Sequence, residues 1–328
     1  MTAGRIAFYA RLFGYGLFHA GLRWAKNAAR LVLRRDRHRA DNRVAWQLLG
    51  HALGLRRIGH VTNRLARGEG AASQAAGMLM AKAVSRRLGV PYAYNPFCEL
   101  DHNEGAPEEY ARRWDDCLNL GLGEVGPDDA PGVGLDIYAL FASDLYNPQF
   151  TRHLFAIIEE MVPELRARHY RGRAPQANPR PIVALHVRRG DDVTHDRNSY
   201  MWTPPDQVRA LIGGVVAALE QLGIEHDLIV VSLGEEADFP ELADLPCQFF
   251  LNERALTSFR RLVEADVLVM GMSGYSHLAG LLSDGLVIYD QCGFPPMRHW
   301  LACPKGRVDS ARLEPRIAAL LASGPVGP

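Results

Sequence analysis

The chain has 328 residues, enough for two domains of ordinary size, and 48% of them are apolar, so a sizeable core can be buried. Lys+Arg and Asp+Glu each number 37, and this zero net charge argues against a dedicated nucleic-acid binder. The five cysteines are scattered, odd in number and never in a C-x-x-C pair; this points to a reducing compartment without a disulfide framework, and no metal site of the zinc type is expected.

The zero charge conceals an asymmetry. Residues 1–43 hold ten Lys/Arg against two Asp/Glu, a net of +8, which leaves −8 for the remainder. Ile6, Tyr9, Phe13, Leu17, Ala20 and Trp24 recur at three- and four-residue spacing, with Arg5, Arg23, Lys26 and Arg30 on the other side. The uncharged run 12–22 is too short to span a bilayer, and no small-residue cleavage site follows it. Such a basic amphipathic helix either lies in the interface of an anionic membrane or packs on the protein's own core. The expected location is cytoplasmic, with peripheral contact at the cytoplasmic face of the inner membrane as the first of these alternatives.

Four regions follow from composition. Residues 1–56 read as a basic helical extension, 57–175 as a first mixed domain, 180–310 as a second, and 311–328 as a final helix and tail. The Pro- and Gly-rich segment 171–181 is the boundary between the two domains. In the first domain, residues 67–77 form a glycine-rich turn opening a helix that runs to Arg87, Gly89 stops it, and 90–94 resumes as a strand. Gly68 and Gly70 let a ligand approach the backbone there, or simply make a tight turn. The pattern is neither a dinucleotide fingerprint nor a P-loop.

The second domain alternates strands and helices. Residues 181–187 (PIVALHV) form a continuously apolar strand; a helix runs from Thr203 as N-cap to Leu222, with Gly223 as its stop. Strands are predicted at 226–232, 247–251, 265–270 and 286–290, with helices at 256–264 and 275–282 between them, and a last helix spans 310–323. This alternation predicts an α/β fold with a mostly parallel, doubly wound sheet. Ligands bind such sheets beyond the carboxyl ends of the strands. That rule selects 188–192, 232–236 and 271–276.

His186-Val-Arg-Arg-Gly-Asp191 holds two adjacent arginines at a strand end. Arginine's planar fork suits phosphate, and a preplaced guanidinium stabilises charge on a departing diphosphate. The other reading is an Arg–Asp network in a loop. Ser273, Tyr275 and Ser276 open a helix, where hydroxyls and free amides seat a phosphate or merely cap the helix.

The His186–Asp191 sequence resembles the H-x-R-R-G-D motif of the α1,2-, α1,6- and protein O-fucosyltransferase superfamily. Residues 271–279 are similar to that superfamily's serine-rich third motif, residues 68–74 to its glycine-rich first loop, and the run 94–102 to bacterial members. The resemblance spans about residues 58 to 300. It implies a GT-B fold of two facing Rossmann-like domains, inversion at the anomeric carbon, and a GDP-sugar donor, usually GDP-fucose, with a glycan acceptor. It also implies that Arg188 contacts the donor phosphate and that His186 lies near the nucleotide. Arg189, Gly68, Gly70, Ser232, Ser273, Tyr275 and Ser276 complete the expected donor-binding set. Two departures weaken the guanine assignment: the middle strand ends in Ser232-Leu-Gly-Glu-Glu236 rather than in aspartates, and Gly70 is followed by Ala71.

No D-x-D triplet occurs, as fits a metal-independent transferase with no resident cofactor. The base that takes the acceptor proton is not fixed by the pattern. Asp191 and Asp192 qualify by position, and Asp101, His102 and Glu104 form a polar cluster in the first domain, with His102 as its candidate. Rival readings are a transferase using another nucleotide sugar and a non-catalytic glycan- or nucleotide-binding protein of the same fold.

Overall fold

The computed structural model describes residues 47, 50–51, 53–55, 57–63, 68–137, 148–173, 178–189, 202–290 and 295–322. The basic helix expected before residue 47 lies outside them, as do Gly190, Asp191, Asp192 and His195. Among the described residues no helix is long and apolar enough to cross a membrane. The chain divides into two compact units, Met1–Ile158 and Glu159–Pro328.

Unit 1 is built on a three-stranded parallel sheet. Strand β1 (Ile58–Thr62) lies between β2 (Tyr92–Ala93) and β3 (Val133–Asp136). Helix α1 (Ala71–Leu88) packs on β1 and β2. Its small residues bring it close to the sheet, and Ala75, Met78, Met80, Ala81 and Val84 are buried. Gly89 ends it at φ 69°, with its amide donating to the Ser85 carbonyl, as the sequence predicts. Helix α2 (Pro107–Leu118) starts on a proline at the first turn with Glu108 and Glu109 behind it, and buries Tyr110, Trp114 and Leu118 on one face. Gly59 is required in β1, because a Cβ there would stand 1.9 Å from the Pro131 carbonyl oxygen.

Helix α3 (Pro148–His169) carries the chain from unit 1 into unit 2. Unit 2 holds β4 (Ile182–His186), α4 (Pro205–Gln221), β5 (Asp227–Ser232), β6 (Cys247–Leu251), α5 (Ala255–Val263), β7 (Val267–Val269), α6 (Gly274–Leu282), β8 (Leu286–Tyr289), β9 (Leu301–Ala302) and α7 (Ser310–Ala322). All neighbouring strands are parallel and the order is β6-β5-β4-β7-β8-β9. Numbered within the unit this is 3-2-1-4-5-6, the order of dinucleotide-binding sheets, with its switch point between β4 and β7. Val183, Leu185, Leu228, Val230, Val267 and Val269 face one side, in one core with Val208, Leu211, Ile212 and Val215 of α4 and Leu313 and Ile317 of α7. Ala184, Ile229 and Leu268 alternate to the other side and are buried too, where α5 lies against β4. Burial on both faces explains why these strands read as unbroken apolar runs.

One cap differs from expectation. Pro204, not Thr203, occupies the N-cap of α4, and no side chain caps it. Thr203 is instead buried, and its hydroxyl has no partner.

Candidate functional site

In unit 2 the carboxyl ends of β4, β5 and β7 converge. Val187 continues beyond β4 with its amide on the Val231 carbonyl, and the Ser232 hydroxyl donates to the Val187 carbonyl at 2.6 Å. These bonds fix the backbone that presents Arg188. After β7 the chain turns through Gly271, where a Cβ would come within 2.6 Å of the His186 carbonyl oxygen. Glycine thus lets the β7 exit close on the β4 exit at the switch point.

The hydroxyls around this edge are engaged within the unit. Ser273 caps α6, its Oγ accepting from the Tyr275 amide at 3.2 Å. Ser276 Oγ donates to backbone carbonyls, that of Gly271 lying at 3.1 Å. The Tyr275 hydroxyl bonds the Ala255 carbonyl and lies 3.0 Å from Ser258 Oγ. The four hydroxyl residues of the expected donor set, Ser232 included, therefore hold the loops in place. What α6 leaves for a ligand is the Gly274 and Ser276 amides of its first turn, the Tyr275 amide being capped by Ser273, and the positive end of its dipole.

His186 is sealed beneath this edge, its ring centroid 5.7 Å from that of Tyr275, and its Nδ1 has no partner. Burial, reinforced by the nearby Arg188 guanidinium, pushes its pKa down to about 3. The imidazole is therefore neutral at physiological pH.

The two arginines have separate fates. Arg188 is half-buried at the strand end. Arg189 turns inward, its side chain only 7% exposed, with Nη2 3.3 Å from Glu241 Oε1 and the guanidinium carbon 3.9 Å from the Trp202 ring centroid. Its buried counter-anion is a carboxylate of the protein itself. Burial lowers the Arg189 pKa and the Glu241 carboxylate partly offsets that.

In unit 1 the glycine turn and the 94–102 run come together. Gly68, at φ 69°, donates its amide to the Glu99 carbonyl at 2.7 Å, and the Asp101 amide donates to the Glu69 carbonyl at 3.1 Å. Gln74 completes the join: its Oε1 accepts from the Cys98 amide and its Nε2 donates to the Cys98 carbonyl. Gly70 is the N-cap of α1, without a side-chain cap. His102 sits at φ 55° with its side chain 68% exposed, 3.6 Å from Asp101. Glu69, between the two glycines, holds the Ser73 hydroxyl at 2.7 Å.

Asp191 lies outside the described residues. Pattern reading passed over Trp202, Glu241 and Glu69. Trp202 stands just before a Pro-Pro helix start, the one signal that could have flagged it; Glu241 carries no local signal, since its partner is 52 residues away. Among the described residues no group of His, Cys, Asp and Glu is placed to hold a metal ion.

No protein-family model and no curated protein matches the chain. Among solved structures it is similar to E. coli heptosyltransferase WaaC with ADP, at 15% identity and a TM-score of 0.36, over 81% of this chain and 99% of that one. The same enzyme with ADP-2-deoxy-2-fluoro heptose gives 15% and 0.37, over 80% and 99%. A UDP-forming α,α-trehalose-phosphate synthase from Burkholderia xenovorans gives 15% and 0.27, over 88% and 75%. At such identities and TM-scores these likenesses assign neither family nor substrate.

Proposed function

We propose that the protein is an inverting glycosyltransferase of the GT-B type that moves a sugar, fucose by its motif resemblance, from a GDP-sugar to a glycan acceptor without a divalent metal. The observation that carries this reading is the position of Arg188. It leaves the first strand of a 3-2-1-4-5-6 sheet at the switch point, beside the β7 exit that leads into the first turn of α6. A guanidinium fork and a helix N-terminus on one sheet edge supply positive charge where a diphosphate would otherwise need a cation.

In the proposed reaction the acceptor hydroxyl oxygen attacks the anomeric carbon as the bond from that carbon to the phosphate oxygen breaks. The bonding pair leaves with the nucleoside diphosphate, where Arg188 offsets the added charge. His186, neutral and fixed, keeps the loop beneath Arg188 in shape without adding a second charge. The acceptor proton passes to a carboxylate or imidazole, for which Asp191 and His102 are the proposed groups. Unit 1 is proposed to hold the acceptor. The net +8 of residues 1–43 is proposed to give peripheral contact with an anionic membrane on the cytoplasmic face. A truncation lacking those residues should stay active and no longer sediment with anionic vesicles.

The donor reading is tested by thermal shift with GDP, UDP and ADP in EDTA, followed by a GDP-fucose hydrolysis assay. GDP should raise the melting temperature most, and GDP should be released from GDP-fucose. A preference for UDP or ADP, or a need for Mn²⁺, overturns the donor assignment. Tight GDP binding without any sugar release makes the protein a binding module instead.

A further inference from the structure

Arg189 touches three separate pieces of chain. Its Nη1 donates to the Arg188 carbonyl at 3.2 Å and lies 3.5 Å from the Thr203 carbonyl, its Nη2 meets Glu241, and its plane lies on Trp202. Phe239 flanks the guanidinium, 5.8 Å from ring centroid to guanidinium carbon. Arg189 and Trp202 stand on either side of residues 190–201, so one buried side chain joins the β4 exit, the segment leading into α4 and the Pro240–Leu242 turn.

We propose that Arg189 is a positioning residue, a clamp that holds the chain together on both sides of residues 190–201 and thereby fixes the backbone that presents Arg188. The chemistry favours arginine over lysine at this point. A planar fork can bond two carbonyls and a carboxylate in its plane while stacking an indole on its face; an ammonium cannot do both. Glu241, 6% exposed, neutralises the buried charge. Trp202, 38% exposed, shields it from water while remaining at the surface. Both arginines of the motif are then used, one for the ligand and one for the loop. The catalytic consequence rests on the diphosphate role proposed for Arg188; the clamp itself does not.

Hydrogen–deuterium exchange of the full chain, free of ligand, tests it. Trp202→Ala and Arg189→Lys should each speed exchange of the Val187 and Val208 amides, which donate to the Val231 and Pro204 carbonyls, on the order of tenfold, while β8 peptides keep wild-type protection. Trp202→Phe, which keeps a ring to stack on, should stay near wild type. Glu241→Gln, a milder change, should give a smaller rise at the same amides and serves if the other variants do not fold. Unchanged exchange in these variants, or an equal rise in Trp202→Phe and Trp202→Ala, overturns the clamp. GDP titration then separates the two arginines: clamp variants at Trp202 and Arg189 should weaken GDP by a similar factor. If Arg189→Lys alone does so, Arg189 is a direct ligand contact and the clamp proposal fails. Should the wild type bind no nucleotide, the donor reading falls, and the exchange result still decides the clamp.

Discussion

The two sheet edges handle charge in opposite ways. In unit 2 charge is brought to the carboxyl ends of strands, where Arg188 remains half-buried and Arg189 is neutralised by Glu241. In unit 1 Lys82 of α1 pairs with Glu124 at 2.6 Å, the shortest ion pair of the unit among the described residues and a buried one, and the carboxyl edge is assembled from backbone bonds among Gly68, Glu69, Glu99 and Asp101. Unit 1 thus uses its ion pair in packing, whereas unit 2 places a cation at the edge proposed to take the ligand. If that contrast is right, disrupting charge in unit 1 costs stability, and disrupting it in unit 2 costs binding and rate.

The largest effect is expected from Lys82→Met. It leaves the Glu124 carboxylate buried without its partner, which costs about 3–5 kcal/mol. Urea denaturation should show that loss, and GDP affinity at low temperature should stay near wild type. Replacing both residues, Lys82→Met with Glu124→Leu, should recover most of the stability. A loss of GDP affinity with intact folding would break the contrast.

Arg188→Lys tests the other side. The charge stays and the fork is lost, so turnover should fall by on the order of 10²–10³, or ~2.7–4 kcal/mol, with an unchanged melting temperature. Wild-type turnover would move the leaving group elsewhere.

A smaller effect concerns pH. Burial pushes His277 down to about 4, with an opposing contribution from the Pro295 carbonyl, and His186 down to about 3. Below the unfolded value near 6.5 the unfolded chain takes protons that the native rings refuse. Stability is therefore complete above about pH 6.5 and declines as pH falls towards 4 and then 3. His277→Gln should flatten the upper part of that decline, measured as urea midpoint against pH. An unaltered slope would mean that the ring is protonated in the native state.

The smallest change is expected from Ser273→Ala. Its hydroxyl caps α6, so its loss should cost about 1 kcal/mol of stability. GDP affinity should fall far less than in Arg188→Lys. An equal fall would make the Ser273 hydroxyl a ligand contact rather than a cap.

The same contrast decides what could be read from sequence. β4, β5 and β8 are buried on both faces, so their apolar runs stand out, and the loops after them follow at once. β1 could not be read that way: it contains Gly59 because the Pro131 carbonyl crosses it, and a polar His60, so its run is broken. β2 and β9 are two residues each, too short for any period to show. α3 was obscured by Pro163 inside it. α2 was legible in principle, since Pro107, two glutamates and the spacing of Tyr110, Trp114 and Leu118 mark an amphipathic helix. In the site, spacing placed Arg188 and Ser273 at strand and helix ends. It could not show that Arg189 turns inward, because Glu241 and Trp202 meet it only in the fold.

The most direct test is a crystal structure of the full chain with GDP. The diphosphate should lie at the β4 and β7 carboxyl ends of unit 2, its oxygens within about 3 Å of the Arg188 guanidinium and of the Gly274 or Ser276 amide of α6, with Arg189 still on Glu241 and Trp202. A diphosphate seated on the Gly68–Gly70 turn of unit 1, with Arg188 making no contact to it, would contradict the phosphate role of Arg188.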